Sequence, residues 1–235
     1  MSAIDAAMTD ELTDRVRLGL VDVRARIVEA GGKPSAITVV AVTKGFGPEA
    51  VLAATRNGLG EVGENFADEL VDKAAALSAA GFEQPRWNFQ GALQTNKIHR
   101  LRAHVSRWQS VDSEAHAAAL AVRVPGAAVF VQVNVTGQNN RGGCAPADVA
   151  RIVERCRAEE MNVEGLMAVG PIIDGQVAEA RSLAASERAF ASLRTIADRL
   201  GLGACSMGMS QDLAAAVRAG TTMVRIGSAL FGPRP

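Results

Sequence analysis

The 235 residues contain no tyrosine. Any mechanism that takes a phenol from this chain as acid or base is therefore closed to it. Charge of one sign is also lacking: 25 basic residues balance 25 acidic ones. A chain with zero formal net charge offers no electrostatic case for nucleic acid or for a membrane surface. No apolar run approaches the roughly 18 residues of a membrane-spanning helix. The opening residues carry Asp5, Asp10, Glu11 and Asp14, where an export signal would show basic residues and then an apolar stretch. The expectation is a cytoplasmic protein. Cysteine and histidine number three each, and their spacing forms no HExxH or CxxC pattern. Cys144, Cys156 and Cys205 read as reduced thiols, and a protein-built transition-metal site is not expected. Two further absences concern architecture. There is no GxGxxG, and no proline-, glycine- or serine-rich linker divides the chain.

What is present is an alternation. Leu12, Val16, Leu20, Val23 and Ile27 recur at helical spacing over residues 8–30, and Gly31-Gly32 ends that helix. Residues 37–42 then read Ile-Thr-Val-Val-Ala-Val, a β-branched run suited to a strand buried on both faces. Pro48 opens a helix that runs to about Asn57. Further strands are predicted at 60–65, 86–91, 107–112, 128–135, 163–170, 203–209 and 223–229. Helices are predicted at 66–80, 94–103, 113–123, 146–159, 176–200 and 211–219, so each strand except the last leads into a helix. Eight strands alternating with helices in one stretch imply a (β/α)8 TIM-type barrel, one domain over 1–235. Residues 1–32 would form an extra N-terminal helix, beside or completing the outer ring, and 37–230 the barrel. A doubly wound open sheet is the alternative.

Such barrels bind ligands at the C-terminal ends of their strands. Lys44 follows strand one and would stand at that mouth. Desolvated and near another cation, a lysine there has a lowered pKa and can form a Schiff base. The other reading is a lysine that reaches out to water. Strand seven leads into Ser206-Met-Gly-Met-Ser210-Gln-Asp212, and strand eight into Gly227-Ser228. Loops seven and eight are the usual phosphate-binding place in this architecture, so Ser206, Gly208, Ser210, Gly227 and Ser228 are candidate phosphate ligands. A plain helix cap by Ser210 or Asp212 is the competing reading. Barrel closure sets strand eight beside strand one. Phosphate and lysine together would suit a small phosphorylated aldehyde. Arg225, flanked by Val224 and Ile226, is either one half of a buried ion pair or a donor to an unprotonated pyridine nitrogen.

In fixed order the chain carries Val42-Thr-Lys44, Gly63-Glu-Asn65, Phe89-Gln-Gly-Ala-Leu-Gln-Thr-Asn-Lys97, Gly165-Leu-Met-Ala168, Ser206-Met-Gly-Met-Ser210 and Met223-Val-Arg-Ile-Gly-Ser228. From about residue 8 to Gly232 this resembles the pyridoxal-phosphate homeostasis protein family. The resemblance implies a barrel similar to the N-terminal domain of alanine racemase. It also implies pyridoxal 5′-phosphate held as a Schiff base on Lys44, and a vitamin B6 homeostasis or carrier role without established turnover. The residues carried over as cofactor-binding are Lys44, Asn65, Met167, Ser206, Gly208, Ser210, Arg225, Gly227 and Ser228. A monomer that transiently contacts pyridoxal-phosphate-dependent apoenzymes is the expected partner pattern. The chain departs from the family at Asn88, where histidine is usual, at Phe66, where tyrosine is usual, and near Arg141, where lysine is usual.

A PLP-dependent racemase-like or class I aldolase-like enzyme using Lys44 is the alternative, as is a phosphate-ligand barrel with no Schiff base. The missing tyrosine counts against the racemase, which the resemblance pictures as drawing a second base from tyrosine on its partner's extra domain. Of the remaining polar segments, 139–143 reads as a loop facing the mouth. Asn96-Lys97-Ile98-His99-Arg100 reads as a solvated basic turn, and 176–200 as a salt-bridged outer helix.

Overall fold

The computed structural model describes residues 4–171 and 179–234, and in 179–182 the backbone alone. It is a closed barrel of eight parallel strands in the order β1-β2-β3-β4-β5-β6-β7-β8. The strands are β1 (Thr38–Val42), β2 (Glu61–Glu64), β3 (Arg86–Phe89), β4 (Val105–Val111), β5 (Ala128–Gln132), β6 (Asn162–Met167), β7 (Ala204–Ser206) and β8 (Met223–Ile226). Closure pairs β1 with β8, with Val40 opposite Arg225 and Ala41 opposite Ile226.

The outer layer holds α1 (Ala6–Glu29), α2 (Pro48–Arg56), α3 (Ala67–Ala79), α4 (Ile98–Leu101), α5 (Glu114–Arg123), α6 (Val149–Ala158), α7 (Glu179–Arg199), α8 (Leu213–Arg218) and α9 (Ser228–Phe231). The helical repeat read in the first thirty residues is the buried face of α1: Leu12, Val16, Leu20, Val23 and Ile27 are all buried. The helix begins at an Asp5 cap, whose carboxylate accepts the Met8 N–H. It ends where Gly31 turns the chain at φ 87°. It packs on α2, α8 and α9 and so completes the outer ring.

Several predicted bounds need correction. The last strand ends at Ile226 rather than 229, and Ser228–Phe231 is a short helix, so strand eight does lead into one. The helix expected over 94–103 is a 3-10 turn at Thr95–Lys97 followed by one α turn. The helix expected from 211 starts at Leu213. Positions 176–178 of the predicted 176–200 helix lie outside the described residues. On the described part of α7, Glu187 pairs with Arg218 at 2.6 Å and Arg194 with Asp198 at 2.7 Å.

Val40, Phe130, Met167 and Met223 fill the barrel interior as one apolar cluster. A larger cluster lies between sheet and helices and holds Trp87, Trp108 and Phe190. All three cysteines are buried and free. Burial pushes the Cys144 thiol up to about 12 and those of Cys156 and Cys205 up to about 11, which leaves them unreactive. Among the described residues no helix is long and apolar enough to cross a membrane.

Candidate cofactor site

Strand alternation orients the residues at the end of β1. Val40 faces the barrel interior, so Lys44, four residues on, returns to that face just above the last ladder pair. Thr43 turns the other way, and its hydroxyl donates to Glu64 Oε1 at 2.6 Å. Lys44 is half-buried at the mouth. Burial lowers its pKa, and the charges of Arg234 and Arg225 lower it further; Glu64 and Glu69 oppose the shift. Gly45 adopts φ 77° and sits under Arg234, whose Cδ would lie 2.9 Å from a Cβ added there. The penultimate residue of the chain thus lies over the backbone beside the lysine. Any larger residue at Gly45 would be strained and would displace that arginine.

Sequence reasoning missed the group behind Lys44. Glu64 and Lys73 are 0% and 4% exposed and form an ion pair at 2.5 Å. The Lys73 ammonium also donates to the Thr43 carbonyl at 2.8 Å and to Glu69 Oε2 at 3.2 Å. Glu69 accepts the Gly45 N–H at 2.8 Å, and Glu64 Oε2 accepts the Asn65 N–H at 3.3 Å. The buried Glu64–Lys73 pair together with Glu69 therefore grips the backbone on both sides of Lys44 and the residue after β2. The available signal was Lys73 itself: it lies four residues after Glu69 and three after buried Leu70, on the inner face of α3. Asn65 is fixed from its other side too, since a Cβ on Gly91 would lie 1.8 Å from its carbonyl oxygen.

Loops seven and eight converge. The Ser210 and Ser228 hydroxyls are 3.2 Å apart, and Ser210 Oγ accepts the Ala229 N–H at 3.3 Å. Ser210 therefore does not cap α8. Asp212, at the α8 cap position, makes no side-chain cap bond either; its Oδ1 accepts the Met209 N–H at 2.6 Å and closes the loop on itself. Arg26 of α1 braces the loop by donating to the Ser210 carbonyl at 2.6 Å. Gly208 has φ 97°, and a Cβ there would lie 2.5 Å from that of Ala216. Only glycine gives this turn with α8 so close. Gly227 carries the clasp to β1, since a Cβ on it would lie 3.3 Å from the Val42 carbonyl. Ser210, Gly227 and Ser228 thus adjoin the strand that bears Lys44.

Arg225 is 4% exposed. The ion-pair alternative is corrected: among the described residues no carboxylate pairs with it within 4 Å. It donates instead to the Ser206 carbonyl at 2.6 Å, the Ser206 hydroxyl at 2.9 Å and the Ala168 carbonyl at 2.7 Å. Burial lowers its pKa to about 10, with Asp212 opposing, so it remains a guanidinium at neutral pH. Ser206 stands apart from the serine clasp. Its hydroxyl, fully buried, donates to Gln109 Oε1 at 2.7 Å inside the barrel. Met167 pairs with Ser206 across the β6–β7 ladder and lies in the interior apolar cluster beneath the mouth. The 139–143 segment is tied down by Asn134, whose Nδ2 donates to the Gln138 carbonyl at 2.9 Å and the Arg141 carbonyl at 3.3 Å. The basic turn sits on α3, with Lys97 and Arg100 both on Asp68, as a solvated surface would have it.

Fold and site together define a class: a parallel eight-stranded barrel with a lysine, a glycine–serine clasp and a buried arginine gathered at one mouth. The profile of the family described as alanine racemase, N-terminal domain, matches residues 23–235. The pyridoxal phosphate homeostasis protein of Pseudomonas aeruginosa is 38% identical over 226 residues, covering 92% of this chain and 94% of that one. A crystal structure of an unknown protein from Bifidobacterium adolescentis is 28% identical at a TM-score of 0.84, covering 98% of both chains. PipY of Synechococcus elongatus, solved with PLP bound, is 28% identical at a TM-score of 0.76, covering 92% of this chain and 100% of that one. The chain belongs to the alanine racemase N-terminal domain family and, within it, to the pyridoxal phosphate homeostasis proteins.

Proposed function

We propose that this chain binds pyridoxal 5′-phosphate as a Schiff base on Lys44 and acts as a vitamin B6 buffer or carrier without catalytic turnover. One observation carries the reading. A half-buried lysine whose amine is biased toward its neutral, nucleophilic form lies on the strand next to a clasp of two serine hydroxyls 3.2 Å apart. The donor set fits the cofactor at three points. Lys44 offers the amine. Ser210, Ser228 and the backbone at Gly208 and Gly227 offer hydroxyl and N–H donors to a phosphate dianion. Arg225, locked as a guanidinium, offers a donor to a ring nitrogen that stays unprotonated. When bound, the cofactor supplies an aldehyde carbon that condenses with the lysine amine and releases water.

The protein's own residues do the rest. Lys73 and Glu69 hold the backbone on either side of Lys44, and Asn65 and Met167 line the mouth beside and beneath it. Ser206 orients Arg225. A donor-only arginine leaves the ring a weak electron sink, which favours holding the cofactor over carbanion chemistry. The same reading has the protein cytoplasmic and monomeric, delivering cofactor through transient contact with apoenzymes. The alanine racemase kinship and the PLP-bound relative support it.

The test is chemical. After incubation with pyridoxal phosphate and reduction by borohydride, peptide mass spectrometry is expected to map the adduct to Lys44. The Lys44→Ala protein is expected to give no adduct and to fold with a stability change within about 0.5 kcal/mol. An adduct on Lys97 or Lys73 overturns the lysine assignment. Alanine racemisation that scales with protein concentration and vanishes in Lys44→Ala overturns the carrier role.

A further inference from the structure

A single file of buried hydrogen bonds descends the barrel from Arg225. The guanidinium donates to Ser206 Oγ at 2.9 Å, and Ser206 donates to Gln109 Oε1 at 2.7 Å. Gln109 Nε2 donates to Asn88 Oδ1 at 2.7 Å, and Asn88 Nδ2 donates to Glu61 Oε2 at 2.9 Å. At the base Arg107 donates to both Glu61 and Glu164 at 2.5 Å. Ser206, Gln109 and Asn88 are 0% exposed.

From Arg225 to Glu61 every donor points the same way. The file cannot run in reverse. An arginine has only donors, and a carboxylate held by Arg107 has only acceptors. Both amides are therefore fixed in orientation, and the Ser206 proton is committed to Gln109. That leaves the Ser206 lone pairs for Arg225. Bonds aligned in this manner strengthen one another. The backbone of β4 is irregular along the file: it carries an extra residue against β3 between Val105 and Arg107, and another against β5 between Trp108 and Val111, around Gln109. Such irregularities re-aim side chains. A barrel core needs no polar file for stability, since apolar residues of similar volume fill such space as well or better.

We propose that Gln109 and Asn88 are positioning residues for Arg225, holding its guanidinium in register with the ring nitrogen of bound pyridoxal phosphate. This inference rests on the functional reading given above. Gln109 dictates which way the Ser206 hydroxyl faces, Asn88 dictates which way the Gln109 amide faces, and Glu61 with Arg107 fixes Asn88.

The test compares two ligands: pyridoxal phosphate and its 1-deaza analogue, in which a C–H replaces the ring nitrogen. Wild type is expected to prefer pyridoxal phosphate. In Gln109→Leu that preference is expected to fall about tenfold, the scale of one charge-assisted hydrogen bond, while affinity for inorganic phosphate at the serine clasp stays unchanged. Gln109→Glu, which in this fully buried place is held in its neutral form and so keeps an acceptor for Ser206 and a donor for Asn88, is expected to retain the preference, and it serves also if the leucine variant folds poorly. A purely structural role for the file would weaken both ligands equally and leave the ratio untouched. An unchanged ratio in folded Gln109→Leu, loss of the ratio in folded Gln109→Glu, or a wild type without preference overturns the inference alone. A wild type that binds neither ligand overturns the functional reading and this inference with it.

Discussion

Lys44 owes its character to its surroundings. An exposed lysine is an ammonium at neutral pH, with almost no nucleophilic form present. Here burial lowers its pKa first, and Arg234 comes next among the causes. Arg234 reaches the site from the far end of the chain and lies over Gly45. Removing its charge takes away a lowering influence, so Lys44 returns toward its ordinary pKa. In Arg234→Gln the pH midpoint for adduct formation with pyridoxal phosphate is therefore expected to move upward, with less adduct at pH 7 and recovery at higher pH. An absorbance titration of the imine against pH checks this. An unchanged midpoint would assign the shift to burial and Arg225 alone.

At the scale of elements the question is what holds loops to strand ends. Ser210 ties loop seven to the start of α9 through the Ala229 N–H and Ser228. Ser210→Ala is expected to lower affinity for pyridoxal phosphate by about tenfold, from the loss of one charge-assisted bond, and to leave pyridoxal nearly unaffected. The ratio of the two affinities in wild type and variant is the measurement. A bare structural tie predicts no change in the ratio and a loss of about 1 kcal/mol in folding stability. The Glu64–Lys73 pair clamps β1, β2 and α3 together. Lys73→Met leaves the Glu64 carboxylate buried without its cation and is expected to cost about 3–5 kcal/mol in urea unfolding. The double variant Glu64→Gln, Lys73→Met keeps an acceptor for Thr43 and removes both charges, so it is expected to regain much of that loss. Equal instability of single and double variants would mean the pair acts mainly through packing.

For the whole molecule, α1 is part of the barrel wall. Val16, Val23 and Ile27 are fully buried, in one cluster with Phe231 of α9, Leu213 of α8 and Val224 and Ile226 of β8. Each large apolar side chain so buried contributes about 1.5–3 kcal/mol. Arg26 of the same helix also holds the Ser210 carbonyl. Deleting residues 1–32 is expected to give a protein that aggregates or unfolds at a much lower temperature, and a soluble truncation with an unchanged melting temperature would refute this. A helix that resembles an addition in sequence thus packs over the first-to-last strand seam and braces loop seven.

The sequence by itself determined the architecture. Eight apolar runs alternating with amphipathic segments admit few arrangements, because parallel strands need crossover helices and two buried faces. It also placed Lys44 at the mouth, since a strand's period of two decides which side its last residue takes. Serine-rich loops after strands seven and eight were legible for the same reason. Three things were decided only by tertiary structure. Glu64 and Lys73 became a buried pair because β2 and α3 meet over Thr43; helical spacing puts Lys73 on the inner face of α3 but does not name its partner. Arg225 turned away from an ion pair because carbonyls of β7 and the end of β6 already stood within its reach. Gln109 and Asn88, ordinary amides in the sequence, lined up below it because Trp108 and Trp87 beside them pack outward against the helices and β3 and β4 are neighbours in the closed barrel. Periodicity reports which face a side chain takes. Which partner it meets there depends on residues up to 216 positions away, as in the Arg15 bond to the Phe231 carbonyl, and only closure of the barrel brings them together.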